Sequence, residues 1–201
     1  MAGDAVGLLD VLGAEAAHVV GASLGGMVAQ SMAIGHPHRV RSLASIMSTT
    51  GRRGKGRMSL RVFRHLLTRP RTPEAAVKRR IRVMATVGSR GFPQDLEELR
   101  RVNTLAYWRD PDSRGGRRRQ HRAVRDAADR TEALRRLTLP TVVIHGTDDR
   151  MCHPSGGRAT AEAIQGARLV LVRGMGHDLP HGAWPQLLGA IVDNARRADA
   201  T

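Results

Sequence analysis

Residues 17–27 read Ala17-His18-Val19-Val20-Gly21-Ala22-Ser23-Leu24-Gly25-Gly26-Met27. The first four residues form a short apolar run, which is typical of a strand in a sheet. From Leu24 onward the pattern changes to that of a helix, and Gly35 followed by Pro37 marks its end. The stretch therefore predicts a strand, a sharp turn at Ser23 and a helix that begins directly after the turn.

The turn Gly21-Ala22-Ser23-Leu24-Gly25 matches the G-x-S-x-G nucleophile elbow, in which a serine stands between a strand and a helix. Such a turn lifts the serine hydroxyl clear of the sheet and points the backbone N–H of Leu24 toward a developing oxyanion. We expect Gly21 and Gly25 because side chains would clash beside so sharp a turn, and Gly26 because it lets the helix lie close to the sheet.

Two other interpretations compete with the elbow. A Gly/Ser turn can serve only as the cap of a helix, and the pattern G-x-S-x-G alone does not exclude this. A dinucleotide-binding loop is disfavoured because it needs G-x-G-x-x-G, and Ser23 occupies the place of the middle glycine.

On both sides of this unit, short apolar runs alternate with helical patterns, which indicates βαβ units and a parallel sheet. The predicted strands are residues 17–20, 40–47, 141–144 and 168–172. The predicted helices beside them are residues 4–12, 24–34, 155–164 and 184–196. We expect an α/β fold in which residues 1–50 and 138–201 form one core.

The segment between the second and third predicted strands, residues 51–137, shows no strand-like run. Its helical patterns cover residues 60–67, 74–83 and 94–107, and two basic stretches at 51–57 and 114–119 are predicted to be loops. We therefore expect a helical insertion between two strands of the sheet.

The charge of the chain is concentrated in this insertion. The whole chain has 33 basic and 18 acidic residues, and 25 of the basic and 9 of the acidic ones lie at 51–137. A strong positive charge is compatible with nucleic-acid binding, but that function also calls for interleaved aromatic side chains or a known reading motif. The chain has five aromatic residues, Phe63, Phe92, Tyr107, Trp108 and Trp184. We interpret the arginines as solvated helix faces and expect no nucleic-acid partner.

Targeting and redox signals point to the cytoplasm. No apolar run is long enough to span a bilayer, and the start of the chain lacks the basic and apolar stretches of a secretory signal. Cys152 is the single cysteine, so an internal disulfide is excluded, as is usual in a reducing compartment. We expect a cytoplasmic protein without a membrane partner.

A serine nucleophile needs a base, and the base needs an acid that orients it. After an elbow of this kind the acid and then the histidine are expected later in the chain. The acid candidates are Asp148 and Asp149, which follow the strand at 141–144, and the base candidate is His177, which follows the strand at 168–172. The carboxyl ends of parallel strands lie at the same edge of a sheet, so these side chains should meet Ser23 there.

The same turn holds other reactive side chains, namely His145, Asp148, Asp149, Cys152 and His153. Their spacing along a single turn fits no zinc pattern, so we expect no metal site and no other cofactor. A lone cysteine without an oriented base is usually inert, which disfavours Cys152 as a nucleophile.

These segments, together with His36-Pro37-His38-Arg39-Val40 and residues 174–180, resemble the α/β-hydrolase superfamily. Within it the chain is most similar to bacterial esterases like the aclacinomycin methylesterases, which cleave a methyl ester on an anthracycline polyketide. The resemblance implies that Ser23 is the nucleophile, His177 the base and Asp149, the second of the acidic pair, the acid. It also implies that Leu24 supplies an oxyanion donor and that residues 51–137 are the helical cap over the site.

The expected function is that of a serine hydrolase acting on a carboxylic ester of a small, largely apolar molecule. Three aromatic residues of the cap, Phe63, Tyr107 and Trp108, are candidates for lining an apolar substrate pocket. The alternative from another class is a non-catalytic remnant or interaction module that keeps the elbow without completing the site.

The sequence departs from the family pattern in two places. Arg150 stands where the family usually has proline or a small turn residue. The family also has strands and a His-Gly loop, the source of the second oxyanion amide, ahead of the region where Met1 stands. We therefore expect an N-terminally incomplete sheet of four parallel strands, self-association through its open edge, and a rate lowered by about 10² to 10³.

Overall fold

A computed structural model describes residues 1–67, 72–109 and 114–200, apart from the side chains of Pro73, Arg114 and Arg117. The predicted insertion at 51–137 thus has two short parts, 68–71 and 110–113, that lie outside the described residues. No helix in the described ranges has both the length and the apolar composition needed to cross a membrane.

Four parallel strands form the sheet, and their spatial order is their chain order. They are β1 (Ala17–Ala22), β2 (Val40–Ile46), β3 (Thr141–Gly146) and β4 (Arg168–Val172). Each neighbouring pair is parallel. The prediction of four parallel strands in this order is confirmed. The strand ends differ from the predicted ones by at most two residues. The strands at 17–20 and 141–144 each continue for two more residues, through Gly21-Ala22 and His145-Gly146.

The helices, numbered along the chain, are α1 (Ala2–Val11), α2 (Leu24–Gly35), α3 (Leu60–Leu67), α4 (Pro73–Val87), α5 (Leu96–Arg109), α6 (Arg114–Asp126), α7 (Thr131–Leu134), α8 (Ser155–Ala163) and α9 (Trp184–Asp199). Short 3₁₀ turns precede β2 and α9, at Pro37–Arg39 and His181–Ala183. Helices α3 to α7 all lie between β2 and β3 in the chain, where the sequence predicts the helical insertion.

Both faces of the sheet are covered, as a parallel sheet requires. On β2, Leu43 packs in a buried cluster with residues of α1, α2 and α8, while the next residue, Ala44, packs in a second cluster with residues of α9. Successive strand side chains point to opposite faces, so these two clusters mark the two sides of the sheet. The carboxyl ends of the strands are left free to carry loops.

The predicted basic loop at 114–119 is wrong, because helix α6 begins at Arg114 and continues to Asp126. Arginine is a good helix former, and the two glycines, Gly115 and Gly116, fall in the first turn, where they interrupt the helix least. An (i, i+4) pair between Arg122 and Asp126 adds a weak contact on the exposed side. A dense run of basic residues therefore does not by itself indicate a loop.

The insertion is joined to the sheet domain by buried contacts. Val62, Val83 and Val87 from α3 and α4 form an apolar cluster that also includes Met151 from the loop after β3. Arg130, which directly precedes α7, donates to the side chain of Gln30 and to the carbonyl of Thr49. Burial lowers the pKa of this guanidinium from its usual value.

Candidate active site

Ser23 lies at the junction of β1 and α2 in a backbone conformation that is rare for a residue with a side chain. Its φ is 55° and its ψ is −117°. The backbone N–H donates to the carbonyl of Ile46 at 2.9 Å, and the hydroxyl of Ser48 donates to the carbonyl of Ser23 at 2.9 Å. The hydroxyl of Ser23 makes no capping bond to its own helix. The turn is therefore held from the neighbouring strand, and the hydroxyl is left to act elsewhere.

The glycines around Ser23 differ in whether the surrounding structure leaves room for a side chain. A Cβ at Gly21 would overlap the carbonyl of Gly25, and a Cβ at Gly26 would lie 2.6 Å from the Cβ of Ser48. Both positions therefore need glycine, which confirms the predicted close approach at Gly26. A Cβ at Gly25 would meet nothing within 4 Å. The expectation that Gly25 avoids a clash is wrong, because this residue already lies in the first turn of α2 and faces open space.

His177 connects Ser23 to an acid. It lies in the loop after β4, and its Nε2 is 2.9 Å from Ser23 Oγ while its Nδ1 is 2.7 Å from Asp149 Oδ2. An ionised carboxylate can only accept a hydrogen bond, so Nδ1 carries the ring proton and its N–H donates a hydrogen bond to Asp149. The lone pair of Nε2 then accepts the hydrogen bond from the Ser23 hydroxyl. A ring in this state can take the serine proton.

Asp149 is buried after β3 and uses both of its oxygens. Oδ2 accepts from His177, and Oδ1 accepts from the backbone N–H groups of Met151 and Cys152, each at 2.8 Å. Asp148 is partly exposed and accepts from the Thr147 hydroxyl. Of the two candidates, the structure brings Asp149 to His177. The unusual Arg150 fits in this turn, where its carbonyl accepts from the N–H of Ser59.

The carboxyl of Asp149 has a pKa below its ordinary value. Burial alone would raise this pKa, but hydrogen bonds from His145 and His177, the charge of His177 and the N–H of Cys152 outweigh burial. His145 Nε2 lies 2.8 Å from the Cys152 carbonyl and 3.4 Å from Asp149, so it donates chiefly to the carbonyl. We therefore attribute most of the lowering to His177 and the backbone N–H groups, which stabilise an ionised carboxylate beside the ring.

Cys152 has no features of a nucleophile. Its side chain is buried, and burial together with the charge of Asp149 raises the pKa of the thiol to about 12. Within the described ranges, the His, Cys, Asp and Glu side chains form no group of three or more that could hold a metal ion.

Three aromatic residues of the insertion, which the sequence predicts to line a pocket, all lie in the described part of the chain. Tyr107 and Trp108 meet edge to face near the end of α5, with ring centroids 5.4 Å apart, and Phe63 lies half-exposed on α3. Trp108 is 63% exposed and lines a groove of about 570 Å³ between α4 and α5. None of the three is within hydrogen-bonding or ring contact of Ser23 or His177 in the structure as described, so their role in substrate binding stays a prediction.

Two groups that position Ser23 and His177 are not predicted from the sequence. The hydroxyl of Ser48 supports the Ser23 carbonyl, and the carbonyl of Val87 accepts from the backbone N–H of His177 at 2.7 Å. Both contacts join segments that are far apart in the chain, and neither residue stands in a recognisable motif. No signal in a single sequence points to them.

Comparison with known proteins identifies the family of the chain. Residues 1–181 match the sequence profile of the family described as alpha/beta hydrolase fold. Rhodomycin D methylesterase DauP of Streptomyces sp. (strain C5) is 28% identical over 223 residues, which cover 98% of this chain and 73% of the esterase. The 2-hydroxymuconate semialdehyde hydrolase of Pseudomonas putida is 30% identical over 183 residues, which cover 86% of this chain and 60% of that enzyme.

Solved structures show the same fold. The crystal structure of a putative non-heme bromoperoxidase, BpoC, from Mycobacterium tuberculosis H37Rv superimposes with a TM-score of 0.71 at 23% identity, covering 98% of this chain and 73% of that one. The esterase RhEst1 from Rhodococcus sp. ECU1013 superimposes with a TM-score of 0.73 at 21% identity, covering 96% and 70%. The chain belongs to the α/β-hydrolase family.

Proposed function

We propose that this chain is a serine hydrolase that cleaves a carboxylic ester of a small, largely apolar molecule. The observation that carries the proposal is the ring of His177, whose two nitrogens lie 2.9 Å from Ser23 Oγ and 2.7 Å from Asp149 Oδ2. Three side chains from three different loops, all at the carboxyl ends of parallel strands, have little reason to meet in this way unless they act together.

The first chemical step follows from the hydrogen bonds. Ser23 Oγ attacks the carbonyl carbon of the ester while its proton passes to His177 Nε2, and the carbonyl π bond becomes an oxyanion. The buried Asp149 carboxylate stabilises the resulting imidazolium through Nδ1–H. The tetrahedral intermediate then collapses, the alcohol leaves with the proton from Nε2, and an acyl group remains on Ser23. Water, activated by the same ring, releases the acid and restores the serine.

The oxyanion is expected beside the N-terminus of α2. Leu24 is the first residue of this helix, so its backbone N–H has no acceptor inside the helix. The turn at Ser23 brings this N–H next to the nucleophile, and the helix dipole favours negative charge at the same place. We propose Leu24 as one oxyanion donor.

Similarity to a rhodomycin D methylesterase supports a carboxylic ester as the substrate class. The cap carries three aromatic side chains that we propose as the contacts for such a substrate: Phe63 and Trp108, which are exposed, and Tyr107, which is partly buried. Contacts of this kind act on substrate binding, so their removal is expected to raise KM for bulky esters more than for small ones.

A panel of substrates tests the reaction class. Wild-type protein, Ser23→Ala and His177→Ala are compared on p-nitrophenyl acetate, a methyl ester of a polycyclic aromatic acid, a lactone and a peracid-forming mixture of acetate and peroxide. Ser31→Ala is the matched control, because this serine lies on α2, the helix that begins directly after Ser23, and its hydroxyl donates to the carbonyl of Met27.

The proposal expects ester hydrolysis by wild type and Ser31→Ala and its loss in both site variants. Ester turnover that survives in Ser23→Ala, or folded wild-type protein that turns over no member of the panel, contradicts the proposal. The second result favours an interaction module that keeps the fold without the reaction.

A further inference from the structure

We propose that Ser89 and Asp178 are positioning residues, which fix the loop that carries His177 to the end of cap helix α4. The inference rests on the proposed function, because it assigns a role toward the base of that reaction. Neither residue is within hydrogen-bonding distance of Ser23 or Asp149 among the contacts described, so the pair acts through His177.

Ser89 follows α4 and is 2% exposed. Its backbone N–H donates to Asp178 Oδ1 at 2.9 Å, and its hydroxyl donates to the same oxygen. The hydroxyl oxygen also accepts from the backbone N–H of Gly176 at 2.9 Å. One buried hydroxyl is thus bonded to the residues on both sides of His177.

The backbone of the same segment continues this attachment. The carbonyl of Val87 accepts from His177 N–H at 2.7 Å, and the carbonyl of Gly174 accepts from Arg90 and Gly91 at 3.0 and 2.9 Å. A Cβ at Gly176 would overlap the carbonyl of Val87, so backbone packs directly on backbone here. Residues 87–91, which we name the clasp, therefore follow the base loop at residues 174–178 over its whole length.

The clasp has a clear consequence for the chemistry. Asp149 orients the ring of His177 through Nδ1, but if the loop that carries His177 were mobile, Nε2 could still move away from Ser23. Displacement of a reacting group by about 1 Å can lower a rate about 10²-fold. Hydrogen bonds on both sides of His177 restrict its backbone, so that Nε2 stays 2.9 Å from Ser23 Oγ. Residues 87–91 then help to hold the base in position.

Four variants separate positioning from general stability. Ser89→Ala removes the shared hydroxyl, and Asp178→Ala removes its acceptor. Asp178→Asn keeps an oxygen that can accept from Ser89, so it is the rescue variant. Ser42→Ala is the matched control, because Ser42 is 3% exposed and bonds one side chain, His18, at 2.9 Å, near the amino end of β2.

The first readout is the second-order rate of fluorophosphonate labelling across pH, corrected for the folded fraction. We expect a loss of about 10- to 100-fold in Ser89→Ala and Asp178→Ala with a shifted pH midpoint, a loss of less than about threefold in Asp178→Asn, and an unchanged profile in Ser42→Ala. Equal rates and midpoints in wild type and Ser89→Ala overturn the proposal, as does an Asp178→Asn variant as impaired as Asp178→Ala.

The second readout does not depend on reactivity. The proton on His177 Nδ1, bonded to Asp149, is followed as a downfield imidazole resonance in the NMR spectrum and identified by its loss in His177→Ala. The resonance is expected to be sharp in wild type and Ser42→Ala and broadened by exchange in Ser89→Ala. If wild type does not label, the proposed function fails while this resonance still tests the clasp, and an unchanged resonance in Ser89→Ala overturns it.

Discussion

Asp149 Oδ2 lies 2.7 Å from Nδ1 of His177, and its neighbour in the chain, Asp148, bonds instead to the hydroxyl of Thr147. This difference yields a kinetic prediction. Asp149→Asn places an amide N–H₂ donor beside Nδ1. The ring tautomer with its proton on Nδ1, which the reaction needs, is then disfavoured, so kcat should fall on the order of 10⁴-fold. Asp148→Asn should keep a rate near that of wild type. The reverse pattern in ester hydrolysis would contradict the assignment of Asp149.

The lowered pKa of Asp149 predicts a dependence of stability on pH. A carboxyl whose pKa is lower in the folded chain adds stability above its unfolded pKa, near the ordinary value of 3.8, and loses this stability as pH falls through the folded value. The free energy of unfolding of wild type should therefore fall more steeply with acid below about pH 4 than that of Asp149→Asn. Urea unfolding from pH 3 to 6 measures both slopes, and parallel curves would contradict the cause that we give.

The glycines of the elbow predict opposite effects of the same substitution. Gly21→Ala and Gly26→Ala force contacts with backbone or with Ser48 and should lower the free energy of unfolding by at least about 2 kcal/mol. Gly25→Ala enters open space in the first turn of α2 and should be neutral or raise it by up to about 1 kcal/mol. Chemical denaturation of the three variants checks this order.

The edge of the sheet predicts the behaviour of the 201-residue chain in solution. Within the described residues, β1 pairs with β2 on one side, and Val20 is 49% exposed. We propose that unpaired backbone groups beside apolar side chains lead this chain to self-associate. Light scattering should show species larger than a monomer, and Val20→Lys should shift them toward the monomer. A wild-type monomer at all concentrations tested would show that the edge does not associate.

Much of the fold and of the site could be predicted because the signals are local. The strand at 17–20, the turn at Ser23 and the loops that carry Asp149 and His177 each have a pattern within a few residues. Topology then brings the three loop ends together. The same reasoning failed at residues 114–119, where a helix stabilised by the propensity of arginine looked like a basic loop.

Other contacts could not be predicted because they join distant parts of the chain. Ser89 and Asp178 are 89 residues apart, and either residue alone resembles any polar residue beside a turn. At Gly25 the local motif predicts a clash for any side chain, but a Cβ at this position would meet nothing within 4 Å. The Ser89–Asp178 contact and the space around Gly25 both depend on how distant segments pack, which the sequence alone does not show.

The central claim is that Ser23 is a nucleophile activated by His177, and covalent labelling tests it most directly. Wild-type protein is treated with a fluorophosphonate, digested with trypsin and examined by mass spectrometry. No Lys or Arg precedes Arg39, so Ser23 and Ser31 lie on one peptide and fragmentation tells them apart. The account predicts one adduct per chain, on Ser23, and its loss in His177→Ala. An adduct on another residue, or none on folded wild-type protein, would contradict it.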